Sequence, residues 1–168
     1  MLNYLKEDTR FLEQGMGKGL SPRAHVLWHY LLHFNNAAAI FDTQNQAWWP
    51  VWFSVDNKVL VKVLGMRTSS EIYAVRKQLV ERQMIRFRRK IDTVSVGGEY
   101  ALVPFEKGMT QRTLFLPGYP EGVDVWVPEG RIIQPEDAVL DWEMVKQLTG
   151  EEKRKAMRVF CGADKWKD

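Results

Sequence analysis

Between Ser54 and Val103 the chain runs through two short helix patterns separated by a glycine and then into strict alternation, an order that sharply restricts how it can fold. Val55, Val59, Leu60 and Val63 follow Ser54 at helical spacing, so Ser54 can cap a helix running to about Leu64. Gly65 suits the position just past that helix, where the backbone turns left-handed. Only Met66 and Arg67 then precede Thr68-Ser69-Ser70-Glu71. This is a capping-box pattern, in which the hydroxyl takes a backbone N–H and the carboxylate reaches back. Two short helices across a tight Gly turn have helix-turn-helix geometry. Ile85 and Phe87 next alternate with Arg86 and Arg88, as in a half-buried strand with its cationic side outward. Gly97-Gly98 falls in the connection, and Glu99 to Val103 reads as the return strand of a hairpin.

The charge is concentrated in the same stretch. Residues 67 to 90 hold eight Lys or Arg against two Glu, a net of +6, whereas the whole chain nets only +3. In the helix from Thr68, the residues Ile72, Val75, Leu79 and the edge of Arg76 share one face, and Ser70, Tyr73, Ala74, Lys77 and Glu81 the other. A helix-turn-helix followed by a basic hairpin is the frame of a winged helix, and its chemistry suits double-stranded DNA. Arg86, Arg88, Arg89 and Lys90 are the candidate phosphate contacts on the wing, and Arg67, Thr68, Ser69, Ser70, Tyr73 and Lys77 lie nearest a major groove. The helix offers no Asn, Gln or Arg well placed for a bidentate base contact, so non-specific or shape-guided binding is expected.

The flanks are read as additions to this core. Leu2 to Leu12 can form a short helix, and Gly15 to Gly19 a flexible joint, giving an N-terminal arm over residues 1–19. Ser21-Pro22 starts the central helix, with Val26, Leu27, Tyr30, Leu31 and Phe34 as its apolar stripe and Asn35-Asn36 as its end. Trp48 to Phe53 favours a short strand that Pro50 confines to a sheet edge. Beyond Pro104, ten Lys or Arg face twelve Asp or Glu, a net of −2. Here a strand is expected at Val123–Val127, a helix from Pro135 to Leu148, and a further helix from Thr149 to about Phe160. The expected fold is therefore α+β: a winged helix-turn-helix domain over 20–105, the arm before it, and a mixed C-terminal extension over 106–168.

Other chemistries find little support. Cys161 is the sole cysteine, which excludes an intrachain disulfide and a thiolate cluster. His25, His29 and His33 recur every fourth residue on one helix, but no His-Glu-x-x-His pattern accompanies them, and they read as surface or interface histidines rather than a metal site. There is no nucleophile elbow, phosphate loop or paired-carboxylate context, so neither an enzyme nor a bound cofactor is expected. Trp52 is assigned to the core, and Trp48, Trp49, Tyr119 and Trp126 are candidate partner-interface residues. No apolar run reaches membrane-span length and Met1 to Asp8 lacks a signal-peptide pattern, so a cytoplasmic protein without a membrane partner is expected.

From about Leu20 to Phe105, roughly half the chain, a family pattern emerges. Its residues are Leu27-Trp28-His29-Tyr30-Leu31-Leu32 with Asn35-Asn36, Trp49-Pro50-Val51-Trp52-Phe53-Ser54-Val55, Leu64-Gly65-Met66, and Ile72 to Leu79 ahead of Gln83-Met84-Ile85. This stretch resembles the N-terminal winged-helix domain of DnaD-like primosomal proteins and the related phage replisome organisers. The resemblance implies a role in replication initiation, with DNA binding, self-association into a homo-oligomer, and recruitment of helicase-loading or other replication proteins. The family's C-terminal Tyr-x-x-x-Ile-x-x-x-Trp signature has no counterpart in this sequence. Two other readings suit the same residues: a transcriptional repressor of winged-helix type, and a protein-interaction module that touches no DNA.

Overall fold

The computed structural model describes residues 4–42, 46–89, 97–116, 118–131 and 140–141. It is α+β, with helices and small antiparallel sheets. The chain forms two compact units, one from residues 2–38 and 51–107, the other from 39–50 together with residues from 108 onward. The second unit is therefore assembled from two distant stretches of sequence. This division departs from boundaries at 19/20 and 105/106: the N-terminal segment belongs to the first unit, and residues 39–50 leave the expected 20–105 domain for the second.

In the first unit, α1 (Tyr4–Glu13) is part of the core rather than a separate arm. Phe11 is buried and stacks on Trp28 at 4.3 Å between ring centroids, and Phe105 stacks on Trp28 at 5.3 Å. Glu7 is buried beside them. Its carboxylate accepts the backbone N–H groups of Phe105 (2.7 Å) and Glu106 (3.2 Å) as well as Arg10 (3.0 Å), so the buried charge is compensated by hydrogen bonds. The Arg10 guanidinium also reaches Glu106 at 3.5 Å; burial would lower its pKa, but Glu106 and Glu7 together hold it above the ordinary arginine value.

Helix α2 (Pro22–Ala37) begins as its sequence requires, with the Ser21 hydroxyl accepting from the Ala24 N–H and Pro22 in the first turn. It runs past Asn35-Asn36, and Asn35 is buried. Its inward face is Ala24, Leu27, Trp28, Leu31 and Leu32. Val26 and Tyr30, expected inward, are exposed, because α1 supplies a second packing surface that rotates the buried stripe toward Trp28.

Strand β3 (Phe53–Asp56) precedes α3 (Asn57–Val63), and α4 (Ser69–Glu81) precedes β4 (Ile85–Arg89) and β5 (Gly97–Leu102). The sheet order is β3-β5-β4, all antiparallel. Ser54 lies in the strand, and Asp56 caps α3 instead, its carboxylate accepting the Lys58 N–H at 2.7 Å. Gly65 adopts φ +59°, and the Met66 N–H bonds back to the Val61 carbonyl, closing the turn between α3 and α4 with a Schellman motif. The end of α4 repeats that motif without a glycine: Gln83 stands at φ 57°, and the Met84 N–H reaches the Leu79 carbonyl at 3.0 Å. Gly97-Gly98 is part of β5 rather than the connection. A Cβ at Gly98 would overlap the Phe87 ring, so the glycine is what lets that ring lie across the sheet.

In the second unit, β1 (Ile40–Phe41) pairs with β2 (Ala47–Trp48), and β6 (Met109–Leu116) lies between β7 (Tyr119–Pro128) and β8 (Leu140–Asp141). Ile40, Trp48, Leu114, Leu116, Val125 and Val127 form its core, and Pro50 bridges to Val125. The expected single strand over Trp48–Phe53 is thus divided between β2 and β3, which serve different units. Strand β7 extends the strand expected at Val123–Val127, whereas β6 was not expected. Leu140–Asp141 is strand where a helix from Pro135 was expected; the rest of that helix and the one from Thr149 lie outside the described residues. Among the described residues no helix is long and apolar enough to cross a membrane.

Two stability measurements check this arrangement. Because α1 is core, Phe11→Ala should lower the unfolding free energy by about 3–5 kcal/mol in a denaturant titration, whereas a detached arm would give almost no change. Gln83→Gly should raise it by about 1 kcal/mol by relieving a left-handed backbone at a side-chain-bearing residue; no gain would contradict the capping geometry.

Candidate nucleic-acid interface

Helix α4 is seated by Ile72, Val75 and Leu79, which are buried, and that register exposes Ser69, Ser70, Tyr73, Ala74, Lys77 and Glu81. Its start departs from a complete capping box. Thr68 stands at the N-cap with its hydroxyl toward Ser70 (2.8 Å) and Glu71 (3.4 Å), making no bond to a helix N–H. Glu71 does reach back, accepting the Arg67 N–H at 3.2 Å, and it also faces Arg23 at 3.5 Å. Arg67, Thr68, Ser69 and Ser70 are consequently all exposed at the leading end of α4.

The three β4 arginines divide between the two sides of the sheet. Register across the sheet sets the buried Phe53 and Tyr100 and the half-buried Phe87 in one row and Ser54, Glu99 and Arg88 in the next, on the opposite face. Arg86 and Arg88 thus project from the face away from the helices. There Arg88 bonds Glu99 at 2.7 Å and lies over the Trp52 ring at 4.2 Å, with Arg86 5.4 Å from the same ring. Arg89, paired with Gly98, has the parity of Ile85 and Phe87 and belongs to the helix side of the sheet, where it is exposed. Lys90 lies outside the described residues.

A residue absent from the expected set occupies the junction of α4 and β4. Arg76 is half-buried, its guanidinium 3.5 Å from the Phe87 ring centroid and 5.9 Å from that of Tyr73, and it donates to the Tyr100 hydroxyl at 3.4 Å. Burial pushes the Tyr100 phenol above its ordinary pKa, partly offset by Arg76. The signal for this contact lay in Arg76 sitting at the border of the apolar stripe of α4, three residues after Tyr73. Lys77 makes only an exposed i,i+4 pair with Glu81 at 3.6 Å, of the kind worth a few tenths of a kcal/mol.

The tryptophans exchange roles relative to expectation. Trp48 is buried in the second unit at 2% exposure, its indole N–H donating to the buried Asp42 carboxylate at 2.8 Å, because β1 and β2 close over the apolar side of β6 and β7. Trp52 is half-buried beneath Arg86 and Arg88. Trp49 and Trp126 are half-buried and Tyr119 is exposed. On α2, His25 donates from Nε2 to the Gly17 carbonyl at 2.8 Å, and His29 lies 3.1 Å from Asp8 and 2.8 Å from the His25 carbonyl, so α1 covers both.

No protein-family model, curated protein or solved structure matches this chain.

Proposed function

We propose that the chain binds duplex DNA through α4 and the β4–β5 hairpin, as a winged-helix protein of replication initiation or replisome organisation. The observation that carries this reading is the helix–strand–helix–helix–strand–strand order with sheet order β3-β5-β4, which puts the third strand between the first and second. That order supports the winged-helix reading, in which α4 is the recognition helix. The local excess of positive charge supports phosphate as the ligand. Of the candidate contacts, Ser69, Ser70, Tyr73 and Lys77 on α4, Arg67 just before it and Arg89 on the helix side of β4 are exposed, whereas Arg86 and Arg88 are engaged with Trp52 and Glu99 on the other side of the sheet. Exposed hydroxyls and cations, without a bidentate base reader, favour sequence-tolerant binding.

The replication role, as opposed to repression at a palindromic operator, rests on the resemblance to DnaD-like domains. Self-association is supported by Leu5, Leu12, Val26 and Tyr30, apolar or aromatic residues exposed on α1 and α2. The same residues favour the second reading, in which the domain is an interaction module without a nucleic-acid ligand.

A duplex-binding titration at several salt concentrations, with light scattering beside it, separates the two. The wild type should bind random-sequence duplex with a steep salt dependence. A folded variant with Arg67, Lys77 and Arg89 all changed to Gln should lose roughly 2–3 from the log–log salt slope, at about 0.9 per phosphate contact. Self-association without salt-sensitive duplex binding would support the interaction module instead.

A further inference from the structure

Arg76 is held apart from the apolar stripe that seats α4. Ile72, Val75 and Leu79 already seat the helix. The guanidinium instead lies over the Phe87 ring, 3.5 Å from its centroid, and donates to the Tyr100 hydroxyl at 3.4 Å. An arginine stacked on an aromatic face keeps its in-plane N–H donors directed outward, and the ring spends little of their hydrogen-bonding capacity. Tyr100 occupies one edge of the fork. No acidic partner of Arg76 appears among the described ion pairs, in contrast to Arg88, which faces Glu99, and Lys77, which faces Glu81. The charge is therefore fixed in direction and left to an anion.

The neighbours define which anion. Tyr73, 62% exposed, has its ring centroid 5.9 Å from the Arg76 guanidinium, and the exposed Arg89 is two residues beyond Phe87 on the same side of β4. Tyr73, Arg76 and Arg89 thus follow a line from α4 onto the hairpin. A phenol and two guanidiniums along a ridge suit a phosphodiester backbone better than a single carboxylate, because a planar fork can take two phosphate oxygens at once.

We propose that Arg76 grips a backbone phosphate of bound duplex DNA at the junction of α4 and β4, with Phe87 and Tyr100 as its positioning residues. This rests on the duplex-binding reading above and assigns that site a contact between helix and hairpin. Gly98 enters the same device, since it is the absence of a side chain there that allows Phe87 to lie beneath the guanidinium.

The test is fluorescence anisotropy of the full chain with a labelled random-sequence duplex over a range of NaCl concentrations, with circular dichroism to establish folding. Arg76→Gln should make the log–log salt slope shallower by about 0.9 and weaken binding roughly tenfold at the lowest salt. Arg76→Lys keeps the charge but loses the stacked fork, and should hold the slope while weakening binding by about threefold or more. A purely structural Arg76 would change the melting temperature and leave the slope alone. If the wild type binds with a salt slope and folded Arg76→Gln retains both slope and affinity, the assignment is overturned and duplex binding stands. If the wild type shows no salt-dependent binding, the duplex reading itself fails. Should Arg76→Gln not fold, Phe87→Leu decides: it leaves Arg76 in place without its ring, and wild-type affinity in that folded variant would overturn the assignment.

Discussion

The row Phe53–Tyr100–Phe87 across the three-stranded sheet is the constraint on which the first unit depends. Tyr100 is fully buried on the central strand, flanked by one aromatic on each neighbour, and its ring sits 5.0 Å from that of Phe87. Such side chains contribute about 1.5–3 kcal/mol each by burial, but a buried phenol without a partner would give back about 1–3 kcal/mol. Arg76 supplies that partner from α4. The sheet and the helix are therefore fixed to each other at the point where helix becomes hairpin. The Gln83 turn, left-handed and closed by Met84 onto Leu79, delivers the chain from α4 directly into β4 and sets the register of that contact.

Local pattern made much of this unit legible in the sequence. The α4 stripe, the Gly65 turn and the alternation from Ile85 to Arg88 are properties of short windows, and each appears where residue spacing puts it. What escaped depends on partners far along the chain. Phe11 becomes core only because Trp28 and Phe105 meet it, and Trp48 is buried only because 39–50 joins strands that begin at Met109. Gly98 looked like a turn residue since glycine pairs usually mark one; its place in β5 follows from the Phe87 ring on the adjacent strand.

The candidate interface was legible by composition but not by side. Runs of arginine in a strand alternate, so Arg86 and Arg88 diverge from Arg89 even though all three are adjacent or nearly so in sequence. The Trp52–Arg88–Glu99 group uses its cations within the protein, whereas Arg89, Lys77 and the leading end of α4 are exposed on the side that the helix presents. On the proposed reading, this division makes the hairpin two-sided, with one face toward nucleic acid and the other held by cation–π contact.

The central claim, that α4 and the helix side of β4 form one duplex-binding surface, is tested most directly by NMR. An isotope-labelled chain would be titrated with a random-sequence duplex while backbone amides and side-chain N–H signals are followed. The account predicts shifts clustered at Arg67 to Lys77, at Arg89, and at the Arg76 guanidinium, with the Trp52 indole little changed. Shifts confined to Trp52, Arg86 and Arg88, or no shifts under low-salt conditions, would contradict it.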